Sequence, residues 1–195
     1  MKQDIILAGV GGQGILSIAT VIGSAALEQG LYIKQAEVHG MSQRGGDVQS
    51  HLRLSSAPIH SDLIPHGCAD LIVSLEPVEA LRYLPVLSQE GWIVTNTVPF
   101  QNVPDYPSMD SVMAELDKQP RVIALDADAT ARGVMSARSA NMVLLGAAAS
   151  VIGILDPDKL RDGIRRVFAR KGEAIVEANI KAFDAGLLLS KNNRL

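Results

Sequence analysis

Thiols are almost missing from this sequence: Cys68 is the only cysteine among 195 residues. One thiol cannot close a disulfide within the chain, and it cannot supply a four-thiolate iron–sulfur cluster or a structural zinc site. Its expected role is that of a small, half-buried apolar residue. Aromatic residues are scarce at 4%, and the formal net charge is −3. With no basic stripe interleaved with aromatics, nothing favours a nucleic-acid partner. The longest apolar stretch, Met142 to Leu155, is too short to cross a bilayer and reads as a buried helix. Met1-Lys2-Gln3-Asp4 leads straight into a strand-like run and shows no secretory signal, so no membrane partner and a cytoplasmic location are expected.

What is present is an ordinary globular balance, 47% hydrophobic and 20% charged, in a chain long enough for a sizeable core. A single domain over 1–195 is expected. Ile5–Ala8 reads as a strand, Gly14–Glu28 as a helix apolar almost all round, and Leu31–Val38 as a second strand. Val48–Leu54 alternates, which predicts a strand with Gln49, His51 and Arg53 on an exposed face. Leu71–Leu75, Trp92–Thr95 and Val122–Leu125 are further strands, separated by a helix beginning near Pro77 and a short one over about 108–117. From Ser136 onward the pattern is helical: Ala140–Ile154, then a helix capped by Asp156-Pro157, then Gly172–Ser190. Strands alternating with helices predict an α/β chain: a three-layer Rossmann-like fold with a mainly parallel sheet and a C-terminal helical tail.

Two glycine clusters stand out. Gly9-Val10-Gly11-Gly12-Gln13-Gly14 joins the first strand to the first helix, the context in which such a turn cradles a phosphate or a dinucleotide. The second, Gln43-Arg44-Gly45-Gly46, places a guanidinium beside two residues without side chains. Three readings of these loops stay open on residues alone. One is NAD(P) binding, with Glu37, 23 residues beyond Gly14, as the ribose carboxylate. Another is a phosphate or interface role, and the last is glycine used only to bring helix and sheet together. No Tyr-x-x-x-Lys pair, Ser/His/Asp constellation or metal-spaced histidines accompany them. His51, His60 and His66 carry no motif, and Asp126 and Asp128 are expected as helix caps.

Together the two loops carry a resemblance. Gly9–Gly14 followed by Glu37-Val38-His39-Gly40-Met41-Ser42-Gln43-Arg44-Gly45-Gly46 resembles the gamma-type domain of 2-oxoacid:ferredoxin oxidoreductases. The His-Gly-Met before Gln-Arg-Gly-Gly is most similar to the arylpyruvate branch, the beta subunits of indolepyruvate ferredoxin oxidoreductases. Asn141-Met142-Val143-Leu144-Leu145-Gly146 resembles a further family segment.

The resemblance implies a share in the oxidative decarboxylation of 2-oxo acids with coenzyme A, giving acyl-CoA, carbon dioxide and reduced ferredoxin. That chemistry uses thiamine diphosphate and iron–sulfur clusters. This chain offers neither a Gly-Asp-Gly…Asn-Asn arrangement nor enough thiols, so both are expected on a large alpha subunit, through which ferredoxin is met. The chain alone is then expected to bind no cofactor and to be inactive. Gly9, Gly11, Gly12, Gly14, Arg44, Gly45 and Gly46 would line the interface with the partner's cofactor or a phosphate, with Arg44 and His39 as possible catalytic groups. A stand-alone NAD(P)-dependent oxidoreductase and a non-catalytic, phosphate-presenting module are the alternatives.

Overall fold

A computed structural model describes residues 1–39, 45–101, 104–134 and 138–192, with His39 and Asn192 as backbone only. Among these, the strands are β1 (Lys2–Val10), β2 (Tyr32–His39), β3 (Asp47–Ser55), β4 (Ala69–Ser74), β5 (Leu87–Asn96) and β6 (Val122–Leu125). The helices are α1 (Ile15–Glu28), α2 (Pro77–Arg82), α3 (Met109–Leu116), α4 (Ala127–Gly133), α5 (Ala140–Ala149), α6 (Pro157–Phe168) and α7 (Glu173–Asn192). The strands form one sheet in the order β2-β3-β1-β4-β5-β6. β1, β4, β5 and β6 pair in parallel, and β3 runs antiparallel to both of its neighbours. The expected mainly parallel α/β sheet is what the chain forms.

β1 is a continuous apolar run because it is covered on both faces: Ile5, Ile6, Leu7 and Ala8 are all inaccessible to solvent. Ile5 and Leu7 join the main core with α1, α5 and α7, while Ile6 and Ala8 join a smaller cluster with Ile64, Ile72 and Tyr83. A third cluster ties Ala80 of α2 and Val112 and Leu116 of α3 to Ile93 of β5. The side of α1 turned away from the sheet packs against α6. There a Cβ on Gly163 would stand 2.8 Å from the carbonyl oxygen of Val21, and Arg166 donates to Ser24 Oγ at 2.9 Å.

Several expectations are corrected. The His51 face of β3 is not exposed: segment 56–67 lies over it, with the Ile64 N–H donating to His51 Nδ1 at 3.0 Å. Arg53 Nη1 donates to the carbonyls of Ser61 and Leu63, both at 3.0 Å. The Arg53 guanidinium also forms a two-pronged bridge to Asp4, which is wholly buried (2.9 and 3.1 Å). Alternation predicted a solvated face because a strap of loop, unlike a helix, leaves no periodic signature. Cys68 is exposed, not half-buried. Asp126 caps α4 as expected, accepting from Ala129 N–H at 2.7 Å, whereas Asp128 lies inside the first turn of that helix instead of capping it. α5 ends at Ala149 rather than Ile154, with Ser150 as its C-cap and the Ser150 N–H donating to the Ala147 carbonyl at 3.2 Å.

Candidate functional site

The first glycine cluster leaves the sheet at the end of β1 and enters α1, so it sits at the carboxyl edge of the parallel strands. Connections from β1 run to one side of the sheet and from β4 to the other, making the gap between these two strands the point where strand order reverses. Gln13 fills that gap. Its Oε1 accepts from Val10 N–H at 2.7 Å, and its Nε2 donates to the Leu75 carbonyl at 3.2 Å. A Cβ on Gly9 would stand 2.8 Å from the same Gln13 oxygen. At the far end of the turn, Asn141 of α5 donates to the Gly14 carbonyl at 3.2 Å. Gly12 (φ 102°) and Gly14 (φ 91°) hold the left-handed backbone that the turn needs.

The two glycine clusters meet. Gly11 N–H donates to the Gly46 carbonyl at 2.9 Å, continuing the β1–β3 ladder beyond its last rung, Val10 opposite Asp47. Beside this junction lies an open cavity of about 300 Å³, floored by Val10, Gly11, Gly12 and Gly14 and walled by Ile15, Leu16 and Val48. Leu16 is exposed there although it is a large apolar side chain. The amides of Gly14, Ile15 and Leu16 find no protein acceptor among the described residues, as the first turn of a helix dictates, and neither does that of Gly12 before it. The cavity therefore combines bare backbone donors with an apolar wall.

Of the site residues expected from sequence, Gly9, Gly11, Gly12, Gly14, Gly45 and Gly46 are described, and the Gly11–Gly46 hydrogen bond joins the two loops. Arg44 and Gln43 lie outside the described residues, as does the side chain of His39. Glu37 departs from the dinucleotide pattern. β3 stands between β1 and β2, so Glu37 is two strand spacings, roughly 9–10 Å, from β1 instead of one. It accepts from Gln35 Nε2 at 2.5 Å. Asp128 accepts from Asn96 Nδ2 at 2.8 Å and so ties α4 to β5.

Sequence reasoning missed a group on the opposite face of the same edge. Tyr83, at the end of α2, donates from its hydroxyl to the Asp47 carboxylate at 2.9 and 3.0 Å to its two oxygens. Burial, and then that carboxylate, push the Tyr83 phenol well above its ordinary pKa. Burial likewise raises Glu79, whose carboxylate is bridged by Arg82 at 2.7 and 3.1 Å. Glu76, buried at the tip of β4, accepts from Tyr106 Oη and caps α2 through Glu79 N–H at 2.9 Å. No spacing rule links Asp47 to Tyr83; only the β1–β3 register and the path of α2 do.

The family described as "Pyruvate ferredoxin/flavodoxin oxidoreductase" matches residues 4–189. The chain belongs to that family. Within it, the chain is 37% identical over 201 residues to the "Indolepyruvate oxidoreductase subunit IorB" of Pyrococcus horikoshii, covering 98% of both chains. It is 35% identical over 194 residues to the subunit of the same name from Methanothermobacter thermautotrophicus, covering 95% of this chain and 96% of that one. Among solved structures it is similar to a 2-oxoglutarate:ferredoxin oxidoreductase from Magnetococcus marinus, described with 2-oxoglutarate, coenzyme A and succinyl-CoA bound. The TM-score is 0.76 at 25% identity, over 98% of this chain. The match spans only 31% of that longer polypeptide.

Membership of this oxidoreductase family raises the question of which groups the chain itself could carry. A single exposed thiol does not fit an iron–sulfur cluster. Among the described residues, no group of three or more His, Cys, Asp or Glu side chains is arranged to hold a metal ion. The relatives are named as subunits of oxidoreductases, and this chain is a family subunit of matching length. No described helix is long and apolar enough to cross a membrane.

Proposed function

We propose that this chain is the small subunit of a cytoplasmic indolepyruvate:ferredoxin oxidoreductase, acting on aryl 2-oxo acids. Its expected partner is a large subunit that carries thiamine diphosphate and the iron–sulfur clusters. The assembled enzyme would convert an aryl 2-oxo acid and coenzyme A to acyl-CoA and carbon dioxide, passing the electron pair singly to ferredoxin. The observation that carries this reading is the full-length likeness to subunits of that name, at 35% and 37% identity.

The geometry supports a share in the active-site wall. A rigid glycine turn, clamped at its start by Gln13, in its middle by Gly46 and at its end by Asn141, offers bare backbone at the sheet's carboxyl edge. Bare backbone lets another chain or a phosphate approach more closely than any side chain would. Arg44, two residues before Gly46 in the sequence, is our candidate for the substrate carboxylate or the phosphates of coenzyme A, and His39 for a proton donor. Charge-assisted bonds of this kind are each worth about 1.5–3 kcal/mol, so Arg44→Ala should weaken binding by an order of magnitude or more.

Reconstitution tests the proposal. The thiamine-bearing subunit is assayed for indolepyruvate-dependent ferredoxin reduction with and without this chain. Activity that depends on the chain supports the reading, and equal activity in both cases refutes it.

A further inference from the structure

The contact between Tyr83 and Asp47 has no part in the helix or strand ladders, yet it reaches the junction of the two glycine loops by one covalent step. Asp47 opens β3 directly after Gly46, whose carbonyl receives the Gly11 N–H at 2.9 Å. The Tyr83 ring is fixed independently, being 7% exposed and packed among Ile6, Ala8, Ile64 and Ile72. Its hydroxyl is therefore a fixed post, and both Asp47 oxygens lie within 3.0 Å of it. Arg82 bridges the neighbouring Glu79 carboxylate through two bonds, and that carboxylate also lies against Asp47, so Arg82, Glu79, Asp47 and the phenol form one cluster. Gly45, at φ 77°, takes a conformation that side-chain-bearing residues rarely adopt, and so turns the chain into Asp47.

We infer that Tyr83 and Asp47 are positioning residues: the phenol–carboxylate contact holds Gly46, and through it Gly11, in the arrangement that the proposed active-site wall requires. The inference rests on the subunit reading for its effect on turnover, but not for its effect on the loop junction.

Two readouts separate these. In the isolated full chain, hydrogen exchange is followed at the Gly11 amide, with the Leu75 amide, bonded to the Ala8 carbonyl at 3.0 Å, as reference. Tyr83→Phe keeps the ring and removes only the hydroxyl. It should speed Gly11 exchange about tenfold or more, the usual worth of one hydrogen bond to a charged group, and leave Leu75 unchanged. Asp47→Ala should match it, while Asp47→Asn, which keeps an acceptor for the phenol, should stay near the parent rate. Unchanged Gly11 exchange in Tyr83→Phe, or equal acceleration at Leu75, overturns the inference. In the reconstituted complex, Tyr83→Phe should raise KM for indolepyruvate or coenzyme A several-fold with kcat and subunit recovery kept, and Asp47→Asn, which leaves the phenol an acceptor, should keep the parental KM. A parental KM, or a loss explained by poorer assembly, overturns the catalytic part. Turnover that never depended on the chain refutes the subunit reading instead, and the exchange result still decides the contact.

Discussion

Gly146 of α5 and Gly186 of α7 each lie against the other helix's backbone. A Cβ on Gly146 would overlap the Phe183 carbonyl oxygen and stand 2.7 Å from its carbon; one on Gly186 would overlap the Val143 carbonyl oxygen and stand 2.8 Å from its carbon. The two helices can approach this closely only because both crossing points lack side chains. α5 is thereby buried on all sides, between the sheet and α7, which explains its run of Ala and Leu.

Backbone cannot swing aside as a side chain can, so Gly146→Ala or Gly186→Ala must push the helices apart. Each should lower stability by about 2–3 kcal/mol, at the upper end of ordinary overpacking. Gly153→Ala is the control: an added Cβ there meets nothing within 4 Å. Urea denaturation checks the contrast. If Gly146→Ala and Gly153→Ala share one midpoint, the close crossing is wrong.

Gly12 and Gly14 separate a structural from an interfacial use of glycine. Both have positive φ, which costs a side-chain-bearing residue about 1–2 kcal/mol. Gly14→Ala adds a clash, since its Cβ would stand 2.6 Å from Asn141 Nδ2, whereas a Cβ on Gly12 points into open space. Gly14→Ala should therefore be the less stable of the two. Gly12→Ala should reduce turnover of the reconstituted enzyme well beyond its small loss of stability, because a partner would meet the new methyl group. Full turnover in Gly12→Ala would leave the glycine with a turn-forming role alone.

The pH response follows from His51. Burial, and then the Arg53 charge, lower its pKa below 6.5, and its Nδ1 accepts from Ile64 N–H and must be unprotonated to do so. The unfolded chain thus takes up this proton more readily than the folded one. Stability is fully present above pH 6.5 and is lost as pH falls from there toward the folded-state pKa. The thermal midpoint should drop between pH 7 and pH 5, and segment 56–67 should become the first site of proteolysis. His51→Asn, which offers an uncharged acceptor, should flatten the slope; an unchanged slope would assign it to other groups.

The strands and long helices were legible because burial on two faces writes itself as unbroken apolar runs, as in Ile5–Ala8 and Met142–Ala149. The glycine turn was legible because positive φ and a strand-to-helix junction leave few residue choices. The strap over β3 was not, since Ile64, Arg53 and His51 meet through one loop crossing with no period. Nor was the place of β3 between β1 and β2. Alternation reports that a strand has two faces, not which strands flank it. Gln13 and Asn141 could be read as motif members, but their contacts with Leu75 and Gly14 depend on packing between elements far apart in sequence.

That sheet order bears directly on nucleotide binding. A dinucleotide site needs an open crevice between β1 and β4 and a carboxylate at the tip of the strand next to β1. Here the crevice holds the Gln13 amide, bonded on one side to Val10 and on the other to Leu75. The strand next to β1 on that side is β3, which begins at this edge instead of ending there, and Glu37 lies one strand further out. Titration of the purified chain with NADH, followed by nicotinamide fluorescence, should show no saturable binding. Gln13→Ala empties the crevice but does not move Glu37, so it should not create a site that tells NADH from NADPH. Saturable binding by the parent chain with such discrimination would mean that the ribose is read by a route this topology does not contain.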